Sequence, residues 1–260
     1  MPPLASPANS QQRWGRKQDP MDIHGTAADA AEIRARVATV PGWRHRIDVG
    51  AGVVTPGNED TSEELRRLRL PANLQGKRVL DVGASDGFYS FECERRGAEV
   101  LAIDDESSLL AGTGNGFRVA RDLLGSHAGY EARDVELLDP ATDGMFDLVL
   151  FINVLYHLRN PMLALERLAS VTRPGGKLVL KTYYRTDVRV WLKGRCIGFD
   201  IDRRPKWWYF PTTELGGDPT NWFAPNRAGL EAMLGATGWT GIDRIGRYGD
   251  RIYYHATRSA

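Results

Sequence analysis

The segment from Arg78 to Asp105 constrains the fold most strongly, because it reads as a strand, a tight turn, a helix and a second strand. An apolar run at 79–82 leads into Gly83, as a buried parallel strand does, and Gly87 follows four residues later with only small or polar residues between. A helical segment comes next, and a second apolar run at 100–103 ends in two aspartates. This pattern indicates half of a nucleotide-binding unit. Small residues there let a ligand approach the backbone, and an acid at the tip of the next strand binds a ribose diol.

The acids near the turn favour one kind of ligand. Asp81 stands two residues before Gly83, where a dinucleotide site has an apolar residue, and the middle of the turn reads Ala-Ser-Asp at 84–86. A carboxylate here would repel a pyrophosphate, but it suits a ligand with an ammonium group, such as the methionine end of S-adenosylmethionine. The spacing Gly-x-Gly-x-x-Gly is also missing. A nicotinamide dehydrogenase is therefore disfavoured.

The turn resembles the first motif of the class I methyltransferases. The family's acid-x-Gly-x-Gly-x-Gly corresponds to Asp81, Gly83, Ser85 and Gly87, with serine in place of the middle glycine. The resemblance implies an α/β, Rossmann-like fold with a seven-stranded, mostly parallel sheet, helices on both faces and a terminal antiparallel hairpin. It implies S-adenosyl-L-methionine as the cofactor.

Composition excludes few functions. The chain has 260 residues, of which 42% are hydrophobic, so it can bury a sizeable core, and its formal net charge of +1 points to no acidic partner. Cys93 and Cys196 fit neither a metal site nor a disulfide framework, so no metal is expected. No signal peptide or apolar stretch of bilayer length is present. We therefore expect a cytoplasmic protein with no membrane partner, and the sequence leaves its oligomeric state open.

The order of patterns along the chain predicts three regions. Residues 1–20 are rich in Pro, Ser and Gln and are expected to be a disordered tail. Residues 21–72 combine helical and hairpin patterns and are expected to form an N-terminal cap. Residues 73–260 alternate strands and helices, as a methyltransferase domain does, and an insertion interrupts them at about 183–225.

Ligands of open α/β sheets bind outside the carboxyl ends of the strands, so the residues there are the cofactor candidates. Asp104 follows the turn by about twenty residues and is expected to hold the ribose hydroxyls, with Asp105 as the neighbouring candidate. The resemblance implies that Asp134 contacts the adenine amino group, whereas the residues alone fit a helix cap equally well. The predicted cofactor-binding set is Asp81, Gly83, Ser85, Gly87, Asp104, Asp105, Asp134, Val135, Asn153 and Val154.

A longer segment, FDLVLFINVLYHLRNPMLALERLASVTRPGGKLVLKT at 146–182, narrows the resemblance. It is similar to the tRNA wobble-uridine 5-oxyacetic acid methyltransferases and their uncharacterised relatives. Their stretch Val-Leu-Tyr-His-Arg-x-x-Pro corresponds to Val154–Pro161, with Leu158 substituted and Arg159 displaced. The similarity covers about residues 43 to 182. Those tRNA enzymes use a carboxylated cofactor that a tyrosine, matched by Tyr156, and a basic residue recognise. The segment that carries the basic residue is absent here, so the ordinary cofactor is expected.

Three residues are candidates for catalysis. Tyr156 and His157 follow the fourth predicted strand, where cofactor and substrate are expected to meet. A hydroxyl acceptor has to lose a proton, and His157 or His45 can accept it. The alternative for Tyr156 and His157 is a packing pair at the start of a helix.

The insertion and the cap supply the substrate candidates. Between residues 183 and 210 the sequence contains seven basic and three acidic residues, with aromatic residues among them. Such a mixture can hold phosphates and stack bases, can close over an anionic or sugar-like small molecule, or can form a covering core. The predicted substrate-binding set is Trp43, Arg44, Tyr183, Arg185, Trp207, Trp208 and Tyr209.

These observations predict an S-adenosylmethionine-dependent methyltransferase that methylates an oxygen of a small metabolite. The alternative acceptor is a tRNA wobble uridine, although a near-neutral chain lacks the broad basic face expected of an RNA enzyme. A binding module without catalytic activity is the third hypothesis.

Overall fold

The structure is a computed structural model that describes residues 27–59, 61–105, 113–192, 195–201 and 203–260. The predicted tail at 1–20 lies outside the described residues. None of the helices in these ranges is both long enough and apolar enough to cross a bilayer.

A seven-stranded sheet forms the centre of the molecule. Its order is β3-β2-β1-β4-β5-β11-β10, and β11 runs antiparallel to the six other strands of this sheet. The predicted fold, including the hairpin β10–β11 at one edge, is confirmed. The strands are β1 (Arg78–Val82), β2 (Glu99–Asp104), β3 (Gly129–Ala132), β4 (Phe146–Ile152), β5 (Thr172–Tyr183), β10 (Trp239–Tyr248) and β11 (Arg251–Arg258).

Helices cover both faces of the sheet. Alternate residues of β4 belong to different cores: Leu148 and Leu150 pack with the cap on one face, and Val149 and Phe151 pack with the late helices on the other. The continuous apolar run of β4 therefore reflects burial on both faces. The helices are α1 (Ala27–Ala38), α2 (Thr61–Leu68), α3 (Phe88–Arg95), α4 (Thr113–Leu124), α5 (Pro140–Asp143), α6 (Pro161–Ser170) and α7 (Arg227–Ala236), with 3-10 turns at Val135–Leu137 and Leu155–His157.

The segment between α1 and α2 contains the expected turn. Asp48 and Val54 form an antiparallel bridge, and the Val49 N–H donates to the Val53 carbonyl at 2.9 Å. The side chain of Glu64 in α2 then reaches the sheet, where it accepts from Lys181 Nζ at 2.6 Å. The cap thus packs directly on the strands that carry the site.

The region between β5 and α7 folds as two small antiparallel pairs. These are β6 (Val188–Leu192) with β7 (Arg195–Phe199), and β8 (Trp207–Tyr209) with β9 (Phe223–Pro225). β5 is the longest strand of the sheet, because it pairs with β4 on one side and with β11 along most of its other side. The division into tail, cap and catalytic domain stays a prediction.

Candidate active site

A cleft of about 670 Å³ opens at the carboxyl ends of β1, β2 and β4. The sheet order reverses direction between β1 and β4, which is where ligands of open α/β sheets bind. Nine of the ten predicted cofactor residues line this cleft, namely Asp81, Gly83, Ser85, Asp104, Asp105, Asp134, Val135, Asn153 and Val154. Their roles toward a cofactor stay predictions.

Gly87 is the tenth, and it does not line the cleft. Its φ is +88°, and a Cβ there would lie 2.6 Å from the rings of Phe91 and Phe117. Glycine is required at this position by the backbone conformation and by packing.

Ser85 and Asp104 join the turn to the second strand. Ser85 has a φ of +54°, in the left-handed region, and its N–H donates to Asp104 Oδ2 at 2.7 Å. The serine thus takes the conformation that a glycine adopts most easily. The other oxygen, Asp104 Oδ1, accepts from the Asp105 N–H at 3.0 Å, which fixes the carboxylate at the strand tip.

Asp81 forms part of the cleft floor and is almost fully buried. Burial raises its pKa to about 6, although the Ser90 hydroxyl, which donates to Asp81 Oδ2 at 2.6 Å, favours the ionised form. With a pKa of about 6, the Asp81 carboxyl group changes its charge just below neutral pH.

Asn153 and Asp134 present different acceptors to the cleft. Asn153 has a φ of +62°, its N–H donates to the Lys181 carbonyl at 2.8 Å, and its buried Oδ1 has no partner. A buried acceptor without a partner fits a ligand that brings a donor. Asp134 Oδ1 caps the following turn by accepting from the Glu136 N–H at 2.9 Å, and its contact with the adenine amino group stays a prediction.

The second acid of the turn, Asp86, is fully buried and does not line the cleft. It accepts from the Arg44 N–H at 2.8 Å, from the His45 N–H at 2.9 Å and from the His45 ring at Nδ1. Asp86 therefore anchors the cap and does not face a ligand. Sequence reasoning missed this role, because the partners lie about forty residues apart.

His45 borders the cleft but is only 3% exposed. Its Nδ1 meets Asp86, its Nε2 lies 3.7 Å from Glu59 Oε2, and its ring stacks on Phe88 with centroids 5.7 Å apart. Both ring nitrogens face carboxylates, so this ring ties the cap to the turn.

His157 lines the cleft, whereas its neighbour Tyr156 does not. His157 Nδ1 lies 3.1 Å from the Thr220 carbonyl oxygen and 3.0 Å from the Thr220 hydroxyl. Burial lowers the pKa of His157. Tyr156 is buried edge-on against Tyr183, with centroids 4.5 Å apart, and burial raises its pKa to about 12. Of this pair, only His157 has its ring at the cleft.

Among the predicted substrate residues, Arg44 lines the cleft and forms an ion pair with Glu59 at 2.6 Å. Trp43 instead packs in the core, where its Nε1 donates to the Val37 carbonyl at 3.1 Å. The remaining predicted residues, Tyr183, Arg185, Trp207, Trp208 and Tyr209, do not line the cleft.

The aromatic residues of β8 are occupied by packing within the insertion. Trp207 meets Phe223 edge-on at 5.2 Å, and the Arg185 guanidinium lies 5.8 Å from the Trp208 ring. The insertion reaches the cleft through a later loop, with Asp218, Thr220 and Trp222. None of these three residues belongs to the predicted substrate-binding set.

Arg159 stands beside this loop and also lines the cleft. Its guanidinium lies 5.0 Å from the Trp222 ring centroid, and Trp222 stacks on Tyr209 at 6.2 Å.

No group of acids, histidines and cysteines in the described part of the chain has the arrangement of a metal site.

Curated relatives match the central part of the chain. The chain is 38% identical over 116 residues to a ubiquinone biosynthesis O-methyltransferase of Xanthomonas euvesicatoria, a match that covers 44% of this chain and 46% of the relative. It is 38% identical over 131 residues to a tRNA U34 carboxymethyltransferase of Syntrophotalea carbinolica, which covers 49% of this chain and 39% of the relative. The matches thus span less than half the length of these two relatives.

A solved structure shares the fold over almost the whole chain. The N-terminal domain of EvdMO1, crystallised in the presence of SAH and D-fucose, superposes with a TM-score of 0.62 and 23% identity, covering 89% of this chain and 97% of that one. At this identity the likeness shows the fold alone. The family model described as a methyltransferase domain matches residues 58–243, and the chain therefore belongs to the methyltransferase domain family.

Proposed function

We propose that the protein transfers a methyl group from S-adenosylmethionine to an oxygen atom of a small metabolite that is sugar-like or anionic. The observation that carries the proposal is a half-buried histidine, His157, whose ring borders the same cleft as the strand-tip residues expected to hold the cofactor. The family and the name of the Xanthomonas relative support the reaction type.

The residues that line the cleft fit the cofactor. Asp104 supplies a carboxylate for the ribose diol, and Asp81 supplies one for an ammonium group. The unpartnered Asn153 Oδ1 is an acceptor for a ligand donor. When bound, S-adenosylmethionine supplies a methyl group activated by a positively charged sulfur.

The surroundings of His157 define its tautomer. The Thr220 carbonyl oxygen, 3.1 Å from Nδ1, can only accept a hydrogen bond, so Nδ1 carries the proton and Nε2 keeps its lone pair. Because burial lowers the pKa, the ring is neutral near pH 7. Nε2 can then accept the proton of a hydroxyl acceptor as the new bond forms, while Thr220 holds the ring in place.

The walls of the cleft support a small acceptor. Arg44 and His45 of the cap line it together with Asp218, Thr220 and Trp222 of the insertion loop, which are about 170 residues apart in sequence. Segments from two regions thus border one cleft, as expected for a site that surrounds a small molecule. Arg44 and Arg159 provide positive charge, and Trp222 provides an aromatic surface for a ring.

The test is methyl transfer from labelled S-adenosylmethionine into an extract of the source strain lacking this gene, separated into RNA and small molecules. Label in small molecules, lost in His157→Asn and kept in His127→Asn, supports the proposal; His127 is exposed and does not line the cleft. Label in tRNA that ribonuclease removes would replace it with the RNA enzyme. Cofactor binding without transfer to either fraction would favour a binding module.

A further inference from the structure

The pair β6–β7 exposes one apolar face. Val188 pairs with Phe199 and Val190 with Ile197 in antiparallel register, so all four side chains lie on the same side of the pair. Alternation places Leu192 on that side too, and Ile201 continues the alternation two residues beyond Phe199. We call these six residues the ribbon face: Val188, Val190, Leu192, Ile197, Phe199 and Ile201. Each is between 36% and 70% exposed.

The opposite side of β6–β7 rests on the rest of the protein. A side chain at Gly198 would collide with Thr186, and the Arg247 guanidinium donates to the Gly198 carbonyl at 3.3 Å. The Asp200 carboxylate accepts from the Tyr184 hydroxyl. These contacts hold the ribbon so that its apolar side faces outward in the part of the chain that the structure describes.

The size of this outward apolar face lies at the upper end of what a monomer exposes. The six side chains expose roughly 500 Å², which is close to the largest apolar patch of a typical monomer, and such patches often mark interaction sites. A two-stranded ribbon is also marginally stable in water unless its apolar side is covered. The exposed side therefore gains stability from a partner that covers it.

We propose that the ribbon face is a homodimer interface, in which the ribbon of one copy packs on the ribbon of a second copy about a twofold axis. An isologous contact requires a patch that complements itself, and this set of six aliphatic and aromatic side chains does so. Two copies together would bury on the order of 1,000 Å², the size at which specific interfaces begin.

The competing occupant of the ribbon face is an anionic membrane surface. Binding to a lipid surface requires cations beside the apolar side chains. Arg195 pairs with Leu192 and falls on that side by alternation, so the vesicle experiment below is needed to separate the two occupants. This proposal does not depend on the proposed function.

The experiment is analytical ultracentrifugation of the full chain over a wide concentration range. The wild-type protein is expected to dimerise, and Val190→Glu is expected to weaken the dimer by at least about tenfold, since it places a charge in the centre of the interface. Met162→Glu is the matched control, because Met162 is 39% exposed, like Ile197, but lies on α6. It is expected to leave dimerisation unchanged.

A second variant guards against misfolding. Val190→Thr together with Ile197→Thr keeps β-branched side chains, and hence the ribbon, while it removes apolar surface. It is expected to weaken the dimer while the midpoint of thermal unfolding, measured on the monomer, stays close to that of the wild type. A wild-type protein that stays monomeric, or a dimer that neither variant weakens, overturns the proposal. Flotation of a monomer with phosphatidylglycerol vesicles also overturns it, in favour of a membrane surface.

Discussion

Asp86 and His45 are joined twice, through the ring Nδ1 and through the His45 backbone N–H, which donates to Asp86 Oδ2 at 2.9 Å. Asp86 belongs to the turn between β1 and α3, and His45 belongs to the cap. The turn and the cap are therefore held together by one fully buried carboxylate. This connection brings Arg44 to the cleft.

Replacement of this carboxylate is expected to loosen the cap. Asp86→Asn keeps the shape but loses the charge that three donors share, so we expect the free energy of unfolding to fall by about 2–4 kcal/mol. Urea unfolding measures the change. Asp48→Asn is the control, because Asp48 is exposed and its Oδ1 accepts from the Gly50 N–H alone; it should cost less than about 0.5 kcal/mol. Equal effects of the two substitutions would contradict the anchoring role.

Asp81 is expected to lower stability at neutral pH. Its pKa is raised from 3.8 to about 6 by burial, so the folded protein favours the protonated form. The contribution of this group to stability is fully present below pH 3.8 and is lost as the pH rises through about 6, a change of about 3 kcal/mol. Asp81→Asn, which cannot ionise, should therefore be more stable than the wild type at pH 7 and gain less at pH 4.

The same substitution should weaken cofactor binding if Asp81 faces the ammonium group, and titration with S-adenosylhomocysteine measures this. Asp147→Asn is the control, and its effect on stability at pH 7 is expected to have the opposite sign. Burial alone would raise the pKa of Asp147, but hydrogen bonds from the Arg78 N–H and from Lys77 outweigh it and lower the pKa. This variant should be less stable at pH 7 and bind the cofactor normally. Tight binding by Asp81→Asn would refute the contact with the ammonium group.

Nine of the ten residues predicted to hold the cofactor line the cleft, and there is a physical reason for this. In a parallel sheet the carboxyl ends of the strands meet at one edge, so a local pattern such as Val-Leu-Asp-Val-Gly already places Asp81 there. The acceptor side depends on contacts between distant segments. The Trp222 N–H donates to the Tyr156 carbonyl at 2.8 Å, and this bond carries the loop with Trp222 to the cleft. No local pattern encodes such a contact.

The aromatic cluster at 207–209 shows a second limit of prediction from the sequence. Its composition suited a ligand platform or a core equally well, and composition cannot choose between them. In the structure the choice is made by pairing, since β8 lies against β9 and its rings pack on Phe223 and Arg185. Residues that contact a ligand and residues that fill a core have the same chemical character here.

Substitutions of the neighbours Asp104 and Asp105 can distinguish a specific contact with the ribose from a general effect of negative charge. Both line the cleft, but the Asp104 carboxylate is fixed by the N–H groups of Ser85 and Asp105. Asp104→Asn is expected to weaken binding of S-adenosylhomocysteine by about ten- to a hundredfold, because a charge-assisted, bidentate contact is lost. Asp105→Asn should change binding less than about threefold. Calorimetry of both variants decides, and a reversed order would move the ribose contact to Asp105.

Lys181 and Glu64 form a buried ion pair between β5 and α2, at 2.6 Å. Burial lowers the pKa of Lys181, while Glu64 favours its charged form. Lys181→Met removes one partner and should cost about 1.5–3 kcal/mol in urea unfolding, since the buried Glu64 carboxylate loses one charged donor but keeps Arg67 and the Tyr253 hydroxyl. The double variant Lys181→Met with Glu64→Gln should recover part of this loss. A double variant as unstable as the sum of the two single variants would show that the pair is not coupled.

His157 is expected to titrate below its usual range. Burial disfavours the imidazolium and lowers the pKa below 6.5, so the neutral ring dominates at pH 7. Protonation of the ring costs stability, and the contribution of His157 is lost as the pH falls from 6.5 through the lower pKa of the folded state.

Nitrogen-15 NMR of labelled histidine should show a midpoint below 6.5 and a proton on Nδ1 in the neutral ring, as the Thr220 carbonyl requires. Thr220→Val, which keeps that carbonyl and removes the hydroxyl, should preserve the tautomer. A midpoint at or above 6.5, or a proton on Nε2, would exclude His157 as the base that accepts the hydroxyl proton.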